Sequence, residues 1–133
     1  MEHEIAAFAK AHGEIDGVFL FGSAATGNTH DESDVDIAVL VGKCGDNTES
    51  VRLAMAYSIE LEDLLGKKTD VVILNSASPL LRHQVFKKGA LIFARDPSRV
   101  RRFISDSVTE YLDEIVLIER LQQRSIRRLT GGR

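Results

Sequence analysis

Hydrophobic and polar positions follow two different periods along this chain. Short runs rich in valine, isoleucine, leucine and phenylalanine have the length and composition of strands, and they span 15–21, 34–41, 69–75 and 90–95. Segments whose apolar residues recur every three or four positions have the pattern of helices, and they span 2–12, 49–65, 79–88 and 97 to about 129. Alternating strands and helices predict an α/β (α+β) domain, with helices flanking a mixed sheet of about four strands.

Helix-terminating residues support these boundaries. Gly13 and Gly66 follow the first two helical segments, as glycine commonly does at helix ends. Ser78-Pro79 and Asp96-Pro97 each place a capping side chain before a proline at the first helical position. A further short helical turn is expected after Gly22, ending near residues 27–28.

The last helical segment is long for a chain of this size. About 30 residues of helix would span roughly 45 Å, which is more than a core of about 100 residues needs. We expect the helix either to break into two pieces or to project in part toward a partner. The chain is predicted to form one domain over 1–133, with a core at about 1–96 and a helical extension at about 97–130.

Composition and charge exclude several classes of protein. No apolar run reaches the roughly 20 residues of a membrane helix, and the single cysteine rules out an internal disulfide framework. We therefore expect a cytoplasmic protein without a membrane partner. The net charge is −3, but nine of the eleven arginines lie from Arg95 onward. This balance predicts no direct nucleic-acid contact and is compatible with a protein partner of mixed charge.

Two carboxylates interrupt the second predicted strand. Asp34 and Asp36 are two positions apart, so their side chains point to the same face of the strand. Two adjacent carboxylates repel each other, and a bound cation would offset that repulsion. Mg²⁺ is a natural candidate because it prefers carboxylate oxygens as ligands and keeps water-filled coordination positions that phosphate oxygens can take. Asp70, at the start of the third predicted strand, would supply a third carboxylate if the two strands are neighbours.

Gly22-Ser23 lies where the first strand ends and a short helix is expected. Glycine allows the backbone to approach an anion closely, and the free N–H groups of a helix N-terminus attract phosphate. The serine hydroxyl adds a donor. A phosphate-binding turn beside a metal-binding carboxylate pair describes a site for a metal-bound nucleoside triphosphate and for in-line phosphoryl transfer.

The segment "GSAATGNTHDESDVD" resembles the signature of the nucleotidyltransferase superfamily related to DNA polymerase β, in which Gly-Ser is followed after ten residues by Asp-x-Asp. The resemblance covers residues 15 to 95, and the chain length makes it most similar to the minimal nucleotidyltransferase (MNT) branch. Members of that branch commonly act as antitoxins to HEPN-domain ribonuclease toxins. The resemblance implies a nucleotidyltransferase fold.

The resemblance also implies a role for each matching residue. Gly22 and Ser23 would bind the phosphates of ATP, and Asp34 and Asp36 would bind two Mg²⁺ ions. Asp70 would bind one of the metals and help to deprotonate the acceptor hydroxyl, which makes the three aspartates the catalytic residues. One position departs from the pattern, because Thr26 stands where many relatives have an arginine in a Gly-Ser-x-Ala-Arg-Gly sequence.

Three hypotheses for the function remain open. The first, implied by the resemblance, is an MNT-type antitoxin that transfers AMP from ATP to a tyrosine of a HEPN toxin, with the long helix helping in docking. The second is an antitoxin that acts by binding alone, which Thr26 motivates. The third is the catalytic subunit of a two-chain enzyme that modifies a small hydroxyl compound. The short region after the core favours a protein acceptor, because it leaves little chain to form an acceptor pocket.

Overall fold

The structure, a computed structural model, describes residues 1–22 and 34–130. In chain order its elements are α1 (Glu2–Ala11), β1 (Ile15–Phe21), β2 (Val35–Val41), α2 (Asn47–Leu65), β3 (Thr69–Ile73), α3 (Pro79–Lys88), β4 (Ala90–Ala94) and α4 (Pro97–Leu129). The predicted class is confirmed. The short helical turn expected between Gly22 and residue 28 lies outside the described residues.

The described strands form one four-stranded sheet in the order β3-β2-β1-β4. Strand β1 pairs antiparallel with both β2 and β4, whereas β2 and β3 are parallel and are joined through α2. Parallel neighbours require such a crossover, and antiparallel neighbours do not. The sheet is therefore mixed, and the start of β2 lies beside the start of β3.

Helices cover both faces of the sheet, so its central strand β2 alternates between two cores. Val35, Ile37 and Val39 pack with residues of α1 and α2, which defines the first face. Ala38 and Leu40 pack on the opposite side with residues of α3 and α4, which defines the second face. Because strand side chains alternate, Asp36 belongs to the second face together with Ala38.

Local capping fixes the helix ends. The Asp46 carboxylate accepts the N–H of Glu49 at the start of α2, and the Ser78 hydroxyl accepts the N–H of Leu81 at the start of α3. Gly66 ends α2 in the left-handed conformation at φ 66°, where a side chain would be strained. The Asp96 carboxylate accepts the N–H of Ser98 at the start of α4. The predictions for Gly66, Ser78 and Asp96 are therefore confirmed, whereas α1 ends at Ala11 with His12, and not Gly13, as its C-cap.

Several boundaries differ from the predictions by one or two residues. Strand β3 ends at Ile73, not at residue 75, because Leu74–Ser76 form a 3₁₀ turn. The Asn75 side chain holds that turn, accepting the N–H of Val41 at 3.0 Å and donating to its carbonyl at 2.8 Å. Helix α2 begins at Asn47, two residues earlier than predicted, and β2 begins at Val35 directly after Asp34.

Helix α4 is a single unbroken helix of 33 residues, so the alternative of two pieces is wrong. Val100 and Ser107 are buried against the domain, and α4 packs mainly on α3. None of the helices in the described ranges combines the length and apolarity that a bilayer crossing requires.

Candidate active site

The parallel pairing of β2 and β3 brings two of the predicted acids together. Asp36 and Asp70 are direct partners in the register, and Val35 is paired with Thr69. Directly opposed residues on neighbouring strands point to the same face, so both carboxylates lie on the second face at the starting ends of their strands. The sequence analysis required the strand of Asp70 to be a neighbour of the strand of Asp36, and the two strands are neighbours.

Asp36 is the electrostatic centre of this group. Partial burial raises the pKa of its carboxyl above the ordinary value, and the negative charges of Asp70 and then Asp34 raise it further. All three causes disfavour the ionised form of Asp36, and a cation near these side chains would remove the penalty.

Gly22 closes the site on the side of β1. Phe21, the last residue of β1, is paired with Asp36, and Gly22 then turns away at φ 71°. A Cβ at this position would overlap Oδ2 of Asp36. Glycine is therefore needed here for two reasons, the left-handed backbone and the close approach of that backbone to the carboxylate.

Asp34 lies directly before β2 and is more open than Asp36. Its side chain is 45% exposed, and Oδ2 is 4.0 Å from Nζ of Lys68, the residue before β3. The sequence offered no cation close to the acids along the chain, and the parallel register supplies this one. The lysine side chain is 70% exposed, so the ion pair contributes little and would yield readily to a stronger ligand.

The donor set fits Mg²⁺. Carboxylate oxygens are its preferred protein ligands, and Mg²⁺ typically takes only one or two of them because substrate phosphates and water complete its shell. Within the described residues, no three acidic, histidine or cysteine side chains already converge to the spacing of a bound ion. Asp36 and Asp70, with Asp34 close by, would hold the metal together with the phosphates of the substrate.

The part of β3 that carries Asp70 also borders an open groove. Asp70 and Val71 line it from the strand, and Met55, Ser58 and Ile59 line it from α2, around a volume of about 310 Å³. The groove adjoins Asp70, on the side of the acid pair away from Gly22.

A family model described as "Polymerase beta, Nucleotidyltransferase" matches residues 3–98. This range contains Gly22 and all three aspartates and covers most of the chain. The chain belongs to this nucleotidyltransferase family.

Two kinds of relative extend the comparison. The nucleotidyltransferase is 40% identical over 72 residues to the protein adenylyltransferase MntA of Shewanella oneidensis, a match that covers 54% of this chain and 49% of that protein. The chain thus spans about half the length of this curated relative. It also resembles a chain in the crystal structure of a toxin-antitoxin with AMP-PNP, with 27% identity, a TM-score of 0.62, and coverage of 98% of this chain and 96% of that one.

A third comparison shows the shared fold. A chain in the structure of the tri-AMPylated Shewanella oneidensis HEPN toxin in complex with MNT antitoxin superposes with a TM-score of 0.69 at 24% identity. The superposition covers 94% of the nucleotidyltransferase and 95% of that chain.

Two predicted positions and one arginine complete the description. Ser23 and Thr26 lie outside the described residues. The guanidinium of Arg82 donates to the carbonyls of Leu74 and Asn75 at 2.9 Å each and to the Glu110 carboxylate at 3.2 Å. Arg82 therefore has a structural role in joining α3 to the 3₁₀ turn and to α4.

Proposed function

We propose that this nucleotidyltransferase is an MNT-type antitoxin, which transfers AMP from ATP to a tyrosine hydroxyl of a cognate HEPN ribonuclease toxin and so neutralises it. The observation that carries the proposal is the cross-strand pair of Asp36 and Asp70, enclosed by Gly22. The match to a protein adenylyltransferase over 72 residues supports the type of transfer. The toxin–antitoxin structures with the same fold support the kind of partner.

The proposed reaction assigns a task to each residue. Gly22 and Ser23 bind the phosphates, and Asp34, Asp36 and Asp70 hold two Mg²⁺ ions. Bound there, the metal would offset the charge of the phosphates and favour ionisation of the acceptor hydroxyl. Asp70 accepts the hydroxyl proton, the oxygen forms a bond to the α-phosphorus, and the bond from that phosphorus to the β-phosphate oxygen breaks. The products are the AMP ester and pyrophosphate.

The position of the groove suits a protein acceptor. It opens beside Asp70, and Met55 and Ile59 on its α2 wall are each 62% exposed. A protein acceptor that contacts this edge of the sheet would lie beside β3, on the side of Asp70 away from the phosphate-binding turn at Gly22. Apolar wall residues also suit a polypeptide better than a small hydrophilic compound.

The decisive experiment is the intact mass of the HEPN protein after incubation with this chain, ATP and Mg²⁺. We expect a gain of one or more AMP units and loss of ribonuclease activity. The variant Asp34→Ala/Asp36→Ala should give no gain, whereas Asp106→Ala on the exposed side of α4 should behave as the wild type. Removing Mg²⁺ with a chelator should also abolish the gain.

Other results would redirect the assignment. A tight complex that neutralises the toxin with no mass change, in wild type and in Asp34→Ala/Asp36→Ala alike, would mean an antitoxin that acts by binding alone. Adenylylation of small hydroxyl compounds with an unlabelled HEPN protein would instead identify the catalytic subunit of a two-chain enzyme. Either result would contradict protein adenylylation.

A further inference from the structure

The free half of α4 has an apolar stripe that its own domain leaves uncovered. Up to Tyr111 the helix packs on α3, where the His83 ring stacks on Tyr111 with ring centroids 4.0 Å apart. Beyond Ile115 the stripe continues at helical spacing, but within the described part of the chain it is largely exposed. Its members and their exposed fractions are Ile118 46%, Leu121 50%, Ile126 60% and Leu129 86%.

Charges along α4 are segregated by sign. Residues 103–119 contain five acids and no lysine or arginine: Asp106, Glu110, Asp113, Glu114 and Glu119. Residues 120–129 contain four arginines and no acid: Arg120, Arg124, Arg127 and Arg128. The complement of this helix is therefore one with the opposite charge order, and a copy of the same helix running in the reverse direction has that order.

We infer that α4 mediates self-association, with the free halves of two copies packed antiparallel about a two-fold axis near residue 121. A parallel arrangement would set acid against acid and arginine against arginine. The antiparallel arrangement sets the acidic segment of each copy against the arginine segment of the other. The exposed stripes pack in the centre and provide affinity, while the charges select the orientation.

The helical spacing fits this arrangement. Glu114 and Arg128 are 14 residues apart, close to four turns of 3.6 residues, so both lie along the same edge of the stripe. An axis near residue 121 places Glu114 of one copy beside Arg128 of the other, twice. The overlap covers residues 113–129, roughly 25 Å of helix at 1.5 Å per residue. It begins just past Tyr111, where α3 stops covering α4.

The test is the solution mass of the full chain by sedimentation velocity, with two charge-reversed variants. The wild type is expected to sediment as a dimer of its 14.7 kDa chain, and to dissociate as salt screens the charges. Arg124→Glu/Arg128→Glu makes the free half predominantly acidic, and Asp113→Lys/Glu114→Lys makes it predominantly basic. Each variant alone should be monomeric, and an equimolar mixture of the two should restore the dimer.

The mixture also controls for misfolding, because variants that no longer fold could not restore the dimer. Arg101→Glu/Arg102→Glu, in the first turns of α4 and outside the overlap, should remain dimeric. A monomeric wild type would overturn the inference, including the case in which the stripe binds only a different helical protein. The inference would also be overturned if both charge-reversed variants remained dimeric, or if their equimolar mixture stayed monomeric. The inference does not depend on the proposed transfer reaction.

Discussion

At the scale of single residues, the site is held in an electrostatically unfavourable state. Asp36 is partly buried and lies beside two other acids, and its pKa is raised for both reasons. Side chains selected for folding alone would avoid such a cluster, because replacing one acid relieves both burial and repulsion. The arrangement is understandable if the carboxylates are there to bind a cation, and this reading has a measurable consequence for the metal-free protein.

Asp36→Asn should stabilise the metal-free protein at neutral pH, with a melting temperature a few degrees above that of the wild type. The folded-state pKa of Asp36 lies above its unfolded value, so its favourable contribution is complete below the unfolded pKa. That contribution is lost as the pH rises through the folded pKa. The gain from Asn should therefore shrink as the pH falls, because the wild-type carboxyl then binds its proton.

Thermal melts of both proteins in chelator across acidic to neutral pH measure this difference. Asp106→Asn, which changes an exposed acid on α4, should show no such pH-dependent gain. A wild type that melts above Asp36→Asn at neutral pH would contradict the account of Asp36.

Gly22 and Gly66 provide a matched pair for the glycine requirement. Both have left-handed backbones, at φ 71° and 66°, but a Cβ at Gly66 meets nothing within 4 Å, whereas one at Gly22 overlaps the Asp36 carboxylate. Gly66→Ala should cost about 1 kcal/mol of stability from backbone strain alone, with unchanged transfer activity. Gly22→Ala should incur the same strain and also displace Asp36, with at least a tenfold loss of transfer.

Unfolding in denaturant and the rate of AMP transfer separate the two effects. Equal losses of activity in Gly22→Ala and Gly66→Ala would show that backbone strain, and not the contact with Asp36, explains the glycine.

At the scale of elements, the sequence predicted the strands and helices well because their signals are local. The run at 15–21 and the caps at Ser78 and Asp96 depend on neighbouring residues, and the structure confirms them. The predicted end of β3 was wrong because the Asn75 side chain forms hydrogen bonds with the backbone of Val41, 34 residues earlier. A contact of that range leaves no pattern in the nearby sequence. The structural role of Arg82 also depends on a distant partner, since it donates to Glu110 on α4, 28 residues later.

Pairing between elements decided what could be foreseen of the site. The spacing of Asp34 and Asp36 predicted a common face for the two acids, but the role of Asp70 required β3 to adjoin β2 in parallel. The register then aligned Asp36 with Asp70 and also brought Lys68 to Asp34. The sequence alone does not predict that Lys68 lies near Asp34, because the two residues are far apart along the chain and meet only when β2 and β3 pair. The roles of Ser23 and Thr26 remain predictions.

At the scale of the whole molecule, the acids and the uncovered stripe of α4 lie in different parts of the fold. The core presents Gly22 and the acids at one end of the sheet, and α4 carries an uncovered stripe beyond its contact with α3. The expected division into a core at about 1–96 and an extension at about 97–130 remains a prediction.

Nucleotide binding by the whole protein gives the last prediction, because a ligand that binds only the folded state raises its stability. An ATP analogue that cannot be cleaved between its α- and β-phosphates should raise the melting temperature when Mg²⁺ is present. When the analogue is at a hundred times its dissociation constant, the free energy of unfolding should rise by about 2.7 kcal/mol. Asp36→Ala should lose most of this gain, because the metal and the phosphates are expected to bind together. An equal gain without Mg²⁺, or in Asp36→Ala, would exclude the acids as the metal site. A normal gain in a protein that never modifies its partner would place the defect after binding, and would direct attention to Thr26.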